Sequence, residues 1–110
     1  MILICARNKV KITDDAKLCV NFFDRLLGLI NPKNPKYLVL FTRFGIHTVF
    51  LHVYIDVVIL DENNQIRAMK QQLRPFSFFF YNPKFYKVVE MPSGEIEKTC
   101  LHIGDKILFE

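Results

Sequence analysis

A chain of 110 residues is near the commonest size of one domain, and 51% hydrophobic with 14% aromatic residues is far from the composition of a disordered segment. Fifteen Lys and Arg against eleven Asp and Glu give a charge of +4, too modest by itself to define a nucleic-acid binder. Cys5, Cys19 and Cys100 leave an odd thiol and no C-x-x-C spacing, which argues against a disulfide framework and for a reducing compartment.

In chain order, Ile2 to Ala6 and Val10 to Ile12 read as short strands joined in a hairpin. The apolar start ends at Arg7 without a basic leader, which is too short for a secretory signal core. From Ala16 the period changes: Ala16, Cys19, Val20, Phe23, Leu26, Leu27 and Ile30 follow helical spacing, and Thr13 or Asp14 can cap the first turn. This predicts one amphipathic helix, ended by Gly28 and by Asn31-Pro32-Lys33-Asn34-Pro35. Strands are then expected at Tyr37 to Thr42, about Thr48 to Val53, Ile55 to Asp61, Gln65 to Gln71, Tyr86 to Met91 and Lys106 to Phe109. Asp61-Glu62-Asn63-Asn64 is a turn that makes a hairpin of its two flanking strands, and Glu95 to Cys100 can form a short helical turn. The long apolar region from Tyr37 to Leu60 is broken by Arg43, His47, His52 and Asp56, so it does not read as a membrane helix. No repeat, linker or low-complexity segment divides the chain, which reads as one domain over residues 1–110 with a cytoplasmic location.

Ile46-His47-Thr48, then Ile55-Asp56-Val57-Val58-Ile59-Leu60-Asp61, a turn and Leu73-Arg74-Pro75 resemble the uncharacterised prokaryotic family catalogued as domain of unknown function number 192. Arg25-Leu26-Leu27-Gly28-Leu29 is similar to its R-x-x-G-L-M, Val89-Glu90-Met91-Pro92-Ser93-Gly94 to its V-L-E-L-P-A-G, and Ile103-Gly104-Asp105 to its closing G-D-x-V. The likeness spans about residues 15 to 110, with Phe50, Leu51 and Tyr54 standing where the family has glycine, methionine and proline. It implies a fold, a small, barrel-like, mostly antiparallel β domain (α+β) with one N-terminal helix, and brings no activity with it.

Four features bear on function. Asp56 sits inside an apolar strand, where a carboxylate must be paired, hydrogen-bonded or protonated. It is either a perturbed group in a pocket near His47, His52 or Arg74, or it lies with Tyr54 and Val58 on the more exposed face of the strand, or it is a structural lock bonded to nearby backbone or to Arg74. His47 and His52 are five apart, an offset that points them to opposite faces of a strand, and Cys100 with His102 adds only two more groups, so no metal site is expected. Leu73 to Lys87 holds seven aromatic residues, and alternation buries either Phe76, Phe78 and Phe80 or Ser77, Phe79 and Tyr81, leaving the other set for a partner or a covering segment. Phosphate-binding glycine loops and nucleophile elbows are absent, which leans away from an enzyme and implies no cofactor.

The sequence therefore indicates a non-catalytic module that binds a small ligand, a carbohydrate or a protein. Its candidate site is His47, Asp56, Arg74, Phe76, Phe78 and Tyr81, and the aromatic segment offers a homodimer contact. A nucleic-acid binder would instead gather Lys33, Lys36, Arg74, Lys84 and Lys87 on one face. A small hydrolytic or metal enzyme would bring Asp56, His47 and a third group together in a pocket.

Overall fold

The computed structural model describes residues 1–19, 37–43, 45–48 and 53–110, with His47 described by its backbone alone. The strands are β1 (Leu3–Cys5), β2 (Lys11–Thr13), β3 (Ala16–Leu18), β4 (Tyr37–Phe41), β5 (Ile46–His47), β6 (Ile55–Leu60), β7 (Ile66–Leu73), β8 (Phe78–Phe79), β9 (Lys87–Pro92) and β10 (Ile107–Phe109). One short helix, α1 (Glu95–Lys98), follows β9.

A five-stranded sheet in the order β3-β4-β9-β6-β7 forms the middle of the molecule. Its central strand pairs, β4 with β9, β9 with β6 and β6 with β7, are all antiparallel, while β3 joins β4 in parallel. Both faces of this sheet are covered along β6, and that explains why it reads Ile-Asp-Val-Val-Ile-Leu without polar alternation: all six residues are buried. Val58, Leu60, Val89 and Met91 meet Leu3, Cys5, Ile107 and Ile96, so the first face is closed by the β10-β1-β2 sheet and α1. Ile55, Val57, Ile59, Leu38, Leu40 and Val88 form the second core with Ile46 and Leu73, and Phe79, Tyr81 and Phe85 pack against it.

The β6 to β7 hairpin, the β1 to β2 hairpin, β4, β9, β10 and the helical turn after Gly94 stand where the sequence indicates, within a residue or two. The amphipathic helix expected over Ala16 to Ile30 does not begin there. Ala16–Leu18 are strand β3, in register with Tyr37, Leu38 and Val39, and α1 is the only helix among the described residues. Ala16 and Cys19 are buried in either geometry, so their spacing cannot separate the two, and pairing with β4 decides for strand. Residues 20–30 of that helix lie outside the described residues, as does most of the strand expected at Thr48 to Val53. No closed barrel is formed among the described residues: β3 and β7 are edges of the central sheet, and β5 and β8 form a separate two-stranded pair. No described helix is long and apolar enough to cross a membrane.

Candidate functional site

Asp56 is 0% exposed and shares the first face with its register partner Met91. Between Ile55↔Leu73 and Val57↔Lys70 the β7 strand carries one extra residue, and this bulge puts Gln72 at φ 54. The Gln72 N–H thereby turns to the carboxylate and donates to Oδ1 at 2.9 Å, while Gly94 and Ile96 N–H groups donate to Oδ2 at 3.0 Å each. Asp56 thus joins the bulge of β7 to the start of α1. It makes no bond to Arg74 or to the aromatic segment, so its bonding is that of a lock within the fold. Glu90 is also fully buried, but it pairs with Leu38 and Val57 on the second face. Adjacent register positions on opposite faces do not make an acid pair.

The aromatic segment obeys alternation, and Ser77, Phe79 and Tyr81 form the inward set. Phe79 and Tyr81 pack on the second core with rings 5.9 Å apart, and the Tyr81 hydroxyl donates to the Thr42 carbonyl. Burial is the main cause that holds the Tyr81 phenol above its ordinary value. Phe76, Phe78 and Phe80 are left 64%, 59% and 72% exposed, and the Phe78 and Phe80 rings are parallel within 2° at 5.9 Å. Two features set this ridge in place. Gly45, at φ 92, lets the preceding loop approach so closely that a side-chain carbon there would lie 2.9 Å from the Phe80 ring and 3.0 Å from the Phe79 carbonyl oxygen.

The second feature is Thr48, which is fully buried. Its hydroxyl donates to the Arg74 carbonyl at 2.6 Å and accepts from the Ser77 N–H at 2.7 Å, while its own backbone exchanges bonds with Phe76 and Ser77. These bonds hold the turn in which Phe76 takes φ 57, an uncommon conformation for a bulky side chain. Thr48→Val keeps the shape and removes every hydrogen bond of the hydroxyl, including its longer contact of 3.2 Å to the Ser77 carbonyl. The expected result is a loss of about 1–3 kcal/mol in urea unfolding, with the amide of Ser77 gaining the fastest hydrogen exchange.

Of the six residues singled out from sequence, Phe76 and Phe78 lie together on the ridge, and Arg74 is exposed just before it. Tyr81 turns inward, Asp56 is engaged by main chain, and the side chain of His47 lies outside the described residues, as do His52, Lys33 and Lys36. Among the described residues no three His, Cys, Asp or Glu side chains gather as a metal-binding group.

A cavity of about 510 Å³ opens on the other end of the same segment, walled by Arg43, Asp61, Arg67, Lys84, Phe85 and Tyr86 among others. The Arg43 guanidinium lies 4.5 Å from the centre of the Tyr86 ring, and its Nη1 donates to the carbonyls of Pro83 at 2.9 Å and Lys84 at 3.1 Å. Asp61 accepts from the N–H groups of Asn63 at 2.8 Å and Gln65 at 3.0 Å and from Arg67 Nε at 2.7 Å. Burial alone would raise the Asp61 carboxyl, but the donors from Gln65, Arg67 and Asn63 outweigh it and hold it below its ordinary value. Lys87 is drawn to the same turn, its Nζ donating to Asn64 Oδ1 at 2.9 Å. Sequence reasoning treats Arg43 only as an interruption of an apolar run and Asp61 only as a turn former. The available signal was a cation set between aromatic residues, Phe41-Thr42-Arg43-Phe44, in a chain with a second aromatic cluster for it to stack on.

Comparison with known proteins places the chain in a family. The chain is similar to a UPF0127 protein of Pyrococcus furiosus, at 30% identity covering 88% of each chain, and to a UPF0127 protein of Thermococcus sibiricus, at 30% identity covering 98% of this chain and 75% of the relative. A crystal structure of a protein of unknown function from Novosphingobium aromaticivorans shares the fold, with a TM-score of 0.80, 9% identity and coverage of 99% of this chain and 84% of that one. The profile of domain of unknown function 192, described as uncharacterized ACR, matches residues 4–109, and the chain belongs to that family.

Proposed function

We propose that the protein is a non-catalytic interaction module that works through the phenylalanine ridge, and that the occupant of the ridge is a second copy of the chain. The observation that carries this reading is the exposure of Phe76, Phe78 and Phe80 along one side of a segment whose other side is anchored in the core. Apolar rings exposed in a row are a recognised mark of an association surface. The stacked Phe78 and Phe80 rings, the Gly45 contact and the Thr48 bonds hold the ridge in one shape before any partner arrives, which lowers the ordering cost of association.

A projecting row of rings suits a flat protein surface better than a small molecule, whose sites are concave. It also suits a sugar poorly. Phe76, Phe78 and Phe80 carry no hydrogen-bonding side-chain group, and the Ser77 hydroxyl, on the inward side, is turned to the Pro75 carbonyl at 3.3 Å. A second copy meets the same row with its own through a two-fold axis, the commonest arrangement of soluble oligomers.

Sedimentation equilibrium tests this. The wild type should be a dimer with dissociation near the micromolar range, about that of a modest interface. The triple variant Phe76→Ser, Phe78→Ser, Phe80→Ser should be a folded monomer whose urea midpoint is independent of protein concentration, whereas that of the wild type rises with concentration. A wild type that stays monomeric at about 100 μM, or a triple variant that still dimerises, overturns the reading.

A further inference from the structure

We propose that the cavity bounded by Arg43, Arg67, Lys84 and Tyr86 is a binding site for a phosphate monoester of sugar-phosphate or mononucleotide size. Three cationic side chains line it, Arg43, Arg67 and Lys84, against two acids, Asp61 and Glu62. Asp61 is already engaged by two backbone N–H groups and by Arg67 Nε, so that ion pair is neutral, and Arg43 and Lys84 against Glu62 leave the wall with one net positive charge. Arg67 is held at 2.7 Å through Nε, which leaves both of its Nη groups to donate elsewhere. Arg43 is held through Nη1 alone and by its contact with the Tyr86 ring, which leaves Nε and Nη2.

Two guanidinium groups fixed by one edge each, with donors remaining on the other, form the planar forks that match phosphate oxygens. Their pre-set positions matter. An arginine on a surface loses much of its attraction to the entropy of holding its side chain still, whereas these two are already held. Lys84 adds a mobile point charge from a turn that is itself fixed, its N–H donating to Asn82 Oδ1 at 2.9 Å. The cavity volume of about 510 Å³ exceeds what a bare inorganic anion fills and falls in the range of small-molecule sites. Phe85 and Tyr86 supply apolar wall for the organic part of the ester.

The proposal is independent of the ridge, because it uses the 82–86 turn and the 61–67 hairpin end and none of Phe76, Phe78 or Phe80. Amide chemical shifts can be followed during titrations with ribose 5-phosphate, with adenosine monophosphate and with inorganic phosphate, each at fixed low ionic strength. Either ester should give saturable shifts centred on residues 43, 61–67 and 84–86, with inorganic phosphate at least about fivefold weaker. The ester that binds more tightly identifies the organic part as a sugar or a base. Arg43→Ala should weaken binding by about tenfold, and Arg43→Lys should recover only part of that because an ammonium lacks the fork.

Lys84→Ala, at an exposed turn position, should weaken binding about threefold without altering the fold. The ridge triple variant should bind as the wild type does, which separates this site from the association reading. No saturable shift up to about 10 mM ester, equal shifts with sodium sulfate and chloride, or an Arg43→Ala protein that is folded and binds unchanged would each overturn the proposal.

Discussion

Asp56→Ala is expected to lower the unfolding free energy by at least about 3 kcal/mol, because three backbone N–H groups lose the carboxylate that accepts from them, at about 1–3 kcal/mol each when buried. Against a total stability of about 5–15 kcal/mol for a domain of this size, that loss is a large fraction, and at the low end of the range it brings the chain close to unfolding at room temperature. Asp56→Asn should fall between the two. Its amide oxygen can still accept from Gln72, but its NH2 group then faces the N–H groups of Gly94 and Ile96, and like donors repel.

Urea midpoints measure the loss, and amide exchange locates it. The protection of Gln72, Gly94 and Ile96 should fall further than that of Val58 or Val89 in the core strands. If Asp56 were a ligand-binding group kept at the expense of stability, Asp56→Asn would leave the midpoint unchanged or raise it. That result would remove Asp56 from the fold and return it to the site.

Much of this architecture is legible in the sequence, and the boundary of legibility follows physical lines. The β6 to β7 hairpin can be read because Asp61 to Asn64 announces its own turn locally, and the structure shows Asp61 bonding to the backbone of that turn. That Asp56 must be satisfied can also be read, since burial of an acid is costly wherever the partners are. The identity of those partners cannot, for Gly94 and Ile96 are distant in sequence and meet Asp56 only through the β6 to β9 pairing. The strand at Ala16–Leu18 is illegible for the same reason: three residues carry no period, and their state is set by β4.

In the aromatic segment, alternation narrows the inward set to two choices, and long-range packing makes the choice. Phe79 and Tyr81 find Ile46, Leu40 and Ile59 in the second core, and Thr48 fixes the phase of the turn that precedes them. Arg43 escapes notice because its worth depends on carbonyls at Pro83 and Lys84 and on the ring of Tyr86, forty residues and more along the chain. Family membership, covering residues 4–109, identifies relatives of the same fold and leaves the site to be argued from its own residues.

Asp105 gives the second large effect, and it is one that pH should reveal. The carboxylate accepts from Arg7 Nε at 2.7 Å, Arg7 Nη2 at 3.1 Å and the His102 N–H at 2.8 Å, with the Cys5 thiol at 3.7 Å, so it ties β1 to the turn before β10. The Arg7 bond is the largest influence and, with the His102 N–H and the field of Arg7, holds the carboxyl below its ordinary value even though burial pushes the other way. A carboxyl whose folded value is depressed contributes stability that is complete above its unfolded value of about 3.9 and is lost as pH falls through the folded value.

Asp105→Asn should therefore be less stable than the wild type at neutral pH by about 2–3 kcal/mol, and the difference should shrink as pH drops below about 4. Asp61 is depressed in the same direction, so the single variant should keep part of the acid limb and only the Asp61→Asn, Asp105→Asn double variant should flatten it. Salt discriminates among the contributions. Arg7 is half exposed, so the Coulomb part of its attraction weakens with ionic strength, whereas the short bond from the His102 N–H does not. Unfolding midpoints of the wild type and Asp105→Asn, measured from neutral pH to about pH 3 at low and high salt, should converge with acid at both. A difference that stayed constant across that range would mean that Asp105 acts through its shape alone.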